Sequence, residues 1–396
     1  MFVCNKMENL LSRLIIVFIL LFLVEERNCF CAYAVGNMES VELSSSIKNV
    51  VVVGGTHGNE YTGVWCIKAL DANRHSLRKD FPSLRVSTLL GNPEAFMRNK
   101  RFVDTDLNRE FSGAKLKLHE DETYENNLET LRAIQLNKIL GPKFMNAEEY
   151  HGTDLIVDLH STTSNMGTTI IIPEGDVLMA RAAAYVIHKC NLMGNKAQIL
   201  MHSIPDRSKR PNLASVAKYG FTIEVGPVPQ GVLRHDAVEK TQVALNALLE
   251  FLHEQNDASQ NTQNRSSMDA LLRKAYPTGT VPCYLTASAK RKGEMSSKLV
   301  WDTDPENPNF PLYMVHKSVQ DRDFGIIRTG DPLFVKHDGT IIPYSGSHGD
   351  EVRLLFVNEG GYYYKSSGTG ISVAVKAEYQ LDNGILLKEQ EGVETN

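Results

Sequence analysis

Residues 49–64 read NVVVVGGTHGNEYTGV. The run of valines is typical of a buried strand, and the two glycines allow the backbone to turn tightly before a helix begins. His57 and Glu60 lie in that turn, where α/β proteins place the residues that do chemistry. The stretch therefore predicts a strand, a turn and a helix, with two functional side chains at the junction.

Two later apolar runs end in polar residues in the same way. Residues 155–157 are followed by Asp158 and His160, and residues 221–223 are followed by Glu224. Two histidines and one carboxylate form the ligand set of a catalytic zinc that keeps one position for water, and a further carboxylate can act as a base. The expected zinc ligands are His57, Glu60 and His160, and the expected base is Glu224.

Each of these residues also has a purely structural interpretation when it is taken alone. His57 and Glu60 could share a hydrogen bond within the loop, and His160 could be an ordinary core histidine. Glu224 could form an ion pair with Arg234. Their joint position at the ends of predicted strands favours the metal site instead.

The spacing His-x-x-Glu is not specific by itself, because it recurs at His119/Glu122 and His348/Glu351. The first of these pairs lies in a charged stretch, and the second lies in a turn rich in glycine and serine. Only the pair that begins at His57 follows an apolar strand.

Other polar residues can support such a site. The segment RFVDTDLNRE contains Arg101, Asn108 and Arg109. An adjacent Asn and Arg can grip a carboxylate, and a separate Arg can stabilise an oxyanion, although clusters of this kind are also common in surface loops. Asp158 precedes His160 by two residues and so shares its strand face, where it either hydrogen-bonds the imidazole or caps a turn.

Short apolar runs alternate with longer helical patterns between residues 47 and 253, which predicts an α/β fold with a mostly parallel or mixed sheet and helices on both faces. The expected strands are 49–53, 85–90, 155–159, 169–172 and 221–225, and the expected helices are 59–72, 125–140, 176–190 and 235–253.

Changes in composition divide the chain. The tract EQNDASQNTQNRSS is too polar to form a core and predicts a linker, after which short segments broken by Gly and Pro predict a smaller β-rich domain. Residues 289–298 are basic and polar, which is typical of an exposed loop. The expected divisions are a leader at 1–46, a catalytic domain at 47–254, a linker at 255–270, a β-rich C-terminal domain at 271–387 and a tail at 388–396.

The leader allows two interpretations. Lys6 and Arg13 precede an apolar run at 14–24, and residues 32–34 resemble a cleavage site, which together are typical of a signal peptide or a short membrane anchor. Met38 could instead be the start of a cytosolic protein. Only three of the six cysteines lie beyond the leader, and no disulfide framework is readable. We expect a cytoplasmic protein, with peripheral membrane association through the leader as the alternative to consider.

The 396-residue chain carries a net charge of −5, and 22% of its residues are charged. These values argue against a general nucleic-acid binder, so its partners are to be sought at a specific site.

Six segments carry a resemblance to a known family. GGTHGNEYTGV, GNPEA, DTDLNR, DLHSTTSNMG, IEVGPVPQGVLR and FVNEGGYYY are similar, in order and spacing, to the aspartoacylase and aminoacylase-3 group of zinc amidohydrolases, which are related to the zinc carboxypeptidases. The resemblance covers residues 47–364. It implies one zinc per subunit on His57, Glu60 and His160, with Glu224 as general base and acid.

The resemblance also implies roles in substrate binding. Arg101 would polarise the scissile carbonyl, Asn108 and Arg109 would hold the substrate α-carboxylate, and Tyr362 would close the pocket over a small N-acyl amino acid. We also expect a homo-oligomer.

Three positions depart from the aspartoacylase pattern. Ala214 and Ser366 stand where aspartoacylase has an arginine and a lysine for the aspartate side chain, and Ser161 replaces the usual Asn after the zinc histidine. Nearby cations could compensate, and Arg210 is the one we assign to substrate binding; the others are Arg207, Lys209 and Lys365.

These departures predict an amidohydrolase that prefers N-acyl derivatives of neutral and aromatic amino acids, including S-substituted N-acetylcysteines. The main alternative is an aspartoacylase that acts on N-acetyl-L-aspartate. A metallocarboxypeptidase and a non-catalytic interaction protein are the remaining alternatives.

Overall fold

A computed structural model describes residues 46–118, 127–144, 152–204, 206–260, 262–291, 294–308 and 310–388. From Ser46 onward the chain is one compact unit. The leader up to residue 45 and the tail from residue 389 lie outside the described residues, so the two interpretations of the leader stay untested. Within the described ranges, no helix combines the length and the apolar character needed to cross a membrane.

Eight α-helices and seventeen strands occur in the described part of the chain. The helices are α1 (Tyr61–Ala72), α2 (Arg74–Asp80), α3 (Pro93–Met97), α4 (Gly113–Leu118), α5 (Leu128–Leu140), α6 (Val177–Leu192), α7 (His235–Gln260) and α8 (Thr262–Ala275). The strands are β1 (Asn49–Gly54), β2 (Arg85–Leu90), β3 (Leu155–Ser161), β4 (Gly167–Pro173), β5 (Ala197–His202), β6 (Tyr219–Gly226), β7 (Thr280–Thr286), β8 (Ala289–Arg291), β9 (Glu294–Ser296), β10 (Lys298–Leu299), β11 (Tyr313–Val315), β12 (Ile326–Arg328), β13 (Pro332–Lys336), β14 (Ile341–Pro343), β15 (Glu351–Leu355), β16 (Ile371–Gln380) and β17 (Leu386–Lys388).

One large mixed sheet organises the fold, which confirms the predicted fold class. Its strand order is β12-β15-β16-β7-β5-β4-β6-β3-β1-β2, and β10 and β17 also pair with β16. Strands β2, β1, β3 and β6 are mutually parallel neighbours, whereas β4 runs antiparallel to β6. Strand β5 was not among the expected strands.

Helices cover both faces of this sheet. Val53 of β1 and Ile156 of β3 pack with α5 in one apolar cluster. A Cβ at Gly54, the next residue of β1, would collide with the backbone of Gly63 in α1, so α1 lies on the opposite face. Helices α1 and α6 both pack on α7, which completes that layer.

The β-rich C-terminal segment continues the same sheet. Strand β7 runs parallel to β5, with Leu200 beside Tyr284, and β16 then pairs with β7 along its length. A separate apolar cluster around Trp301, Phe334 and Tyr344 forms the core of this segment. The main-chain hydrogen bonds between β5 and β7 therefore join it to the same sheet as the strands of the site, with β5 and β4 between β7 and β6.

The predicted linker at 255–270 is wrong. Helix α7 continues to Gln260, and α8 occupies most of the remaining stretch. Ala258, Met268 and Leu272 are buried, so these helices have an apolar inner side. The composition of the tract is dominated by polar residues and conceals those few apolar contacts.

Candidate metal centre and active site

Parallel strands bring the predicted site residues together. Strands β1, β3 and β6 are adjacent, and their carboxyl ends meet at one edge of the sheet. The register places His160 directly beside Glu224. His57 follows β1 after Gly55, whose φ of +69° lies in the region that favours glycine. The turn therefore directs His57 back toward the other two strand ends.

His57, Glu60 and His160 form a buried cluster whose candidate ligand atoms all lie within 4.8 Å of one another. The Glu60 carboxylate lies 2.6 Å from Nδ1 of His57 and 2.9 Å from Nδ1 of His160. Although burial opposes it, the two imidazoles hold the pKa of Glu60 far below its usual value. Two imidazole nitrogens and an ionised carboxylate are a donor set that suits zinc, so these residues fit the metal that the sequence predicts.

Two buried aspartates contact the other ring nitrogens. Nε2 of His57 lies 3.1 Å from Asp106, and Nε2 of His160 lies 2.9 Å from Asp158. Asp158 also accepts a hydrogen bond of 2.7 Å from Thr56. Carboxylates in this position fix the orientation of a histidine and raise its basicity. The imidazole alternative for Asp158 is therefore the one observed.

Arg101 lies beside this cluster and is buried. Its guanidinium donates to Glu60 at 3.2 Å and to Asp106 at 3.3 Å, and it lies 3.7 Å from Glu359. These carboxylates raise its pKa even though burial opposes the charge. The guanidinium packs so closely on Gly361 that a Cβ at that position would collide with it.

Glu224 is buried, and burial raises the pKa of its carboxyl well above the usual value. Its carboxylate forms no hydrogen bond with any residue that the structure describes. Arg234 pairs instead with Asp236 at 3.0 Å, so the ion pair considered for Glu224 is not formed. A carboxyl with a raised pKa at such a site can both accept and donate a proton near neutral pH.

Asn108 and Arg109 lie in a turn of 3-10 helix at Leu107–Arg109 and border the same cavity. The Asn108 side-chain nitrogen is 3.4 Å from Nε2 of His160, and its oxygen accepts from the Leu213 amide at 2.8 Å. Arg109 donates to the Asn108 carbonyl at 3.0 Å. Both side chains therefore lie at the cavity that contains the cluster.

The C-terminal segment covers this edge of the sheet. Glu359 accepts from the Thr163 amide at 2.9 Å and from the Gly361 amide at 2.7 Å, and Tyr362 follows in the same turn. Tyr362 is buried against Phe356, with ring centroids 5.6 Å apart. Tyr362 therefore lies at the cavity.

Comparison with known proteins agrees with this geometry. Residues 46–252 match the Succinylglutamate desuccinylase/Aspartoacylase catalytic domain, and residues 297–372 match the AstE/AspA barrel-sandwich hybrid domain. The chain belongs to the succinylglutamate desuccinylase/aspartoacylase family. The resemblance predicted from sequence is confirmed, and so is the expectation of an amidohydrolase at the level of the family.

Three similar proteins illustrate the relationship. A "Probable aspartoacylase" from Nostoc sp. is 34% identical, over 81% of this chain and 94% of its own length. An N-acyl-aromatic-L-amino acid amidohydrolase (carboxylate-forming) from Xenopus laevis is 32% identical, over 82% and 93%. The crystal structure of murine aminoacylase 3 superposes with a TM-score of 0.67 at 24% identity, over 87% and 98%, which shows the shared fold.

The cavity of this family member has a volume of about 350 Å³. Only one of the four candidate cations, Arg207, Lys209, Arg210 and Lys365, is among its lining residues. Arg210, which the sequence analysis assigns to substrate binding, lines the cavity. The other three do not: Lys209 and Lys365 are exposed, and Arg207 donates to the carbonyls of Ala217 and Lys143.

The departures from the aspartoacylase pattern occupy different places. Ala214 is buried and lines the cavity, whereas Ser366 is exposed and does not. Ser161 donates its backbone amide to Glu60 at 3.1 Å. Of the two other His-x-x-Glu pairs, His119/Glu122 lies outside the described residues, and in the second pair Glu351 forms an ion pair with Arg328.

The expectation of an exposed loop at 289–298 is wrong for Lys298. Its Nζ lies 3.1 Å from the centroid of the Tyr362 ring and donates to the carbonyl of Ser367 at 3.2 Å. The side chain lines the cavity, where burial and the positive charge of Arg109 and Arg101 lower its pKa to about 6. Its place depends on the pairing of β10 with β16, which the basic composition of the segment does not reveal.

Sequence reasoning also assigned no role to two other residues near Arg101. Asp106 accepts from Ser367 at 2.6 Å as well as from Arg101 and His57, and Glu359 joins the C-terminal turn to the loop after β3. Both lie within segments that carry the family resemblance, DTDLNR and FVNEGGYYY, so these segments could have indicated them.

Proposed function

We propose that this chain is a zinc-dependent amidohydrolase that cleaves N-acyl-L-amino acids to a carboxylate and a free amino acid. The observation that supports it best is the meeting of three potential metal ligands, a carboxyl of raised pKa and a buried guanidinium around one small cavity. This combination provides the groups that hydrolysis of an amide requires.

His57, Glu60 and His160 would hold the zinc. A zinc ion in such a site lowers the pKa of water to about 7 and polarises a carbonyl oxygen. Asp106 and Asp158 would keep the two imidazoles in the required orientation, since each lies within hydrogen-bonding distance of a ring nitrogen.

Glu224 would act as general base and then as general acid. It takes a proton from the attacking water and delivers it to the nitrogen of the leaving amine, and its raised pKa suits both steps. Arg101 would donate a hydrogen bond to the oxygen of the scissile carbonyl, where negative charge develops. Both groups border the cavity, so neither step requires a large movement.

Asn108, Arg109 and Tyr362 would hold the substrate. The Asn and Arg side chains offer hydrogen-bond donors to the α-carboxylate, and Tyr362 closes the cavity from the C-terminal segment. A cavity of about 350 Å³ accommodates a small N-acyl amino acid and does not suit a long peptide, which argues against a carboxypeptidase.

We further propose a preference for neutral and aromatic side chains, including S-substituted cysteines. The cavity has an apolar portion, and the small side chain of Ala214 leaves room beside it. Its apolar lining includes Ile171, Leu200, Ala214 and Phe356. The relative from Xenopus laevis carries the name of an N-acyl-aromatic-L-amino acid amidohydrolase, which agrees with this preference.

A second candidate substrate is N-acetyl-L-aspartate. Lys298 favours it, because it places a titratable amine at the cavity despite the absence of an arginine at Ala214. Both Lys298 and Arg210, which also lines the cavity, already donate to backbone carbonyls, which reduces their capacity to bind a side-chain carboxylate. We therefore keep the neutral and aromatic class as the leading proposal.

Turnover of a panel of N-acetyl amino acids, with and without a chelator, tests the proposal. We expect chelator-sensitive hydrolysis and a higher kcat/KM for N-acetyltyrosine than for N-acetylaspartate. A tenfold preference for aspartate, a difference of about 1.4 kcal/mol in transition-state binding, would contradict the proposed side-chain preference. Hydrolysis that persists without metal would contradict the proposed mechanism.

We propose a cytoplasmic location. The three cysteines beyond the leader, Cys66, Cys190 and Cys283, are free and buried, which agrees with a reducing compartment. N-terminal sequencing of the natural protein tests this proposal, and a mature start near Val35 would contradict it.

Size measurement of the purified protein tests the expected homo-oligomer.

A further inference from the structure

Lys143 is a buried cation behind the wall of the substrate cavity. Only 1% of the residue is exposed. Its Nζ donates to the carbonyl oxygens of Phe111 and Arg210, each at 2.6 Å, and to Oγ of Ser215 at 2.8 Å. A protonated amine has three N–H donors, so these three acceptors use all of them.

The acceptors belong to two segments that border the site. Phe111 comes two residues after Arg109, in the segment that we propose to hold the α-carboxylate. Arg210 and Ser215 line the cavity, on the side that contains Ala214. Lys143 therefore joins the α-carboxylate segment to the cavity wall that would meet the amino-acid side chain.

Two weaker connections run between the same segments. The Phe111 amide donates to the carbonyl of Pro211 at 3.1 Å, and the Leu213 amide donates to the side chain of Asn108 at 2.8 Å. Each is a single hydrogen bond, whereas the ammonium of Lys143 contacts three groups at once. The amine therefore fixes the spacing of the two segments together with the buried packing of Leu107 and Phe111 on Leu213.

Burying this charge is energetically costly. Within the described residues, no carboxylate forms an ion pair with the Lys143 amine, and its charge is satisfied by neutral oxygens alone. Burial, followed by the neighbouring Arg207 and Arg210, lowers its pKa to about 7, while Asp206 acts in the opposite direction. Other charged groups on the packed segments are the Glu110–Lys115 pair beside Phe111, and Lys117 above the ring of Phe144.

We propose that Lys143 is a positioning residue that sets the selectivity of the enzyme for the amino-acid side chain of its substrate. It acts by holding residues 210–215 at a fixed distance from the α-carboxylate segment. It does not touch the substrate, so its loss should change the fit of large side chains more than the chemical step. This inference rests on the proposed function, because it presumes that N-acyl amino acids are the substrates.

The test compares Lys143→Met, which removes the amine and its donors and leaves an unbranched side chain one atom shorter, with the wild type. The measured quantity is the ratio of kcat/KM for N-acetyltyrosine to kcat/KM for N-acetylalanine. We expect Lys143→Met to lower this ratio fivefold or more, chiefly through KM, with unchanged zinc content and kcat for N-acetylalanine within threefold of the wild type. The matched control is Lys138→Met on the exposed side of α5, which should leave the ratio unchanged.

The pH dependence of the same ratio gives a readout that a purely structural role would not move. Ionisations that change kcat/KM equally for both substrates cancel in this ratio. As the pH rises through about 7, the amine loses one of its three donors, so the wild-type ratio should fall. The ratio of Lys143→Met should not vary with pH, and an equal pH dependence in the variant would overturn the proposal.

If Lys143→Met does not fold, Ser215→Ala removes one acceptor and should lower the ratio in the same direction by a smaller factor. A ratio within twofold of wild type in the folded Lys143→Met protein, or in Ser215→Ala where that substitutes for it, overturns the inference. Failure of the proposed function looks different, because the wild-type enzyme would then hydrolyse neither N-acetyl substrate.

Discussion

The two sides of the cavity are constructed in different ways. On one side, His57, His160 and Glu224 stand at the ends of adjacent parallel strands, and the register of β3 and β6 is enough to bring the last two together. On the other side, Glu359 and Lys298 reach the cavity only because the C-terminal segment folds back over the sheet.

The contacts of this second side span long stretches of sequence. Ser367 donates to Asp106 across 261 positions, and Glu359 accepts from Thr163 across 196. The strand ends therefore place the proposed chemical groups, and the C-terminal turn completes the enclosure around Arg101. The comparison suggests that substitutions on the first side should abolish the reaction, whereas substitutions on the second should weaken or redirect it.

His160→Ala should have the largest effect. Removing one of three ligands should release the zinc, so both metal content and turnover should fall to background. Metal analysis of the purified variant, together with an assay of the N-acetyl amino acid panel, measures both. A variant that retains stoichiometric zinc would show that the ligand set at the strand ends is assigned incorrectly.

Glu224→Gln should have the next largest effect. The amide cannot exchange a proton, so turnover should fall by roughly two to four orders of magnitude, while the zinc content stays at about one per chain. Near-normal rates in this variant would refute the proposed mechanism. Retained metal combined with lost turnover would separate the proton-transfer group from the ligands on the same sheet edge.

Gly361→Ala examines the C-terminal side. The new Cβ would collide with the buried guanidinium of Arg101, which must then move away from the scissile carbonyl. We expect kcat to fall by about a hundredfold, a typical consequence of losing one oxyanion donor, with unchanged zinc.

Gly360→Ala is the matched control for this substitution. Its added Cβ would meet only the end of the flexible Gln230 side chain, so kcat should change little. Equal effects of the two substitutions would indicate a general disturbance of the turn and not a displacement of Arg101.

The difference between the two sides of the cavity also explains which site residues could be predicted from the sequence. The valine run and the two later apolar runs predict strands, and residues that follow parallel strands share one edge, so the proposed metal ligands could be selected from residue types and spacing. Family motifs then pointed to Arg101, Asn108, Arg109 and Tyr362. None of these inferences required knowledge of distant packing.

The residues that were missed depend on such packing. Lys298 sits in a basic stretch that is typical of a loop, and only its position on β10 beside β16 brings it to Tyr362. The incorrect prediction of a linker at 255–270 has a related cause. Few residues of α7 and α8 in this stretch are buried, and polar residues dominate its composition. Long-range contacts of this kind leave no local periodic pattern in a single sequence.

Lys298→Met should have the smallest effect on rate and the clearest effect on selectivity. The pKa of Lys298 is lowered to about 6, so in the free enzyme the amine is mostly neutral at pH 8 and becomes charged as the pH falls below about 6. A charged amine at the cavity favours a side-chain carboxylate, and a charge-assisted contact contributes roughly 1.5 to 3 kcal/mol. The preference for N-acetyltyrosine over N-acetylaspartate should therefore be larger at pH 8 than at pH 5.5.

The ratio of kcat/KM for these two substrates checks this expectation, because ionisations that affect both reactions equally cancel. In Lys298→Met the ratio should lose this pH dependence, while kcat/KM for N-acetyltyrosine should stay within about threefold of the wild type. Lys376→Met, on the neighbouring strand β16 and exposed, is a suitable control and should behave as the wild type. If the ratio in Lys298→Met shows the same pH dependence as the ratio in the wild type, the C-terminal side of the cavity contributes enclosure alone. Selectivity against aspartate must then come from the wall around Ala214.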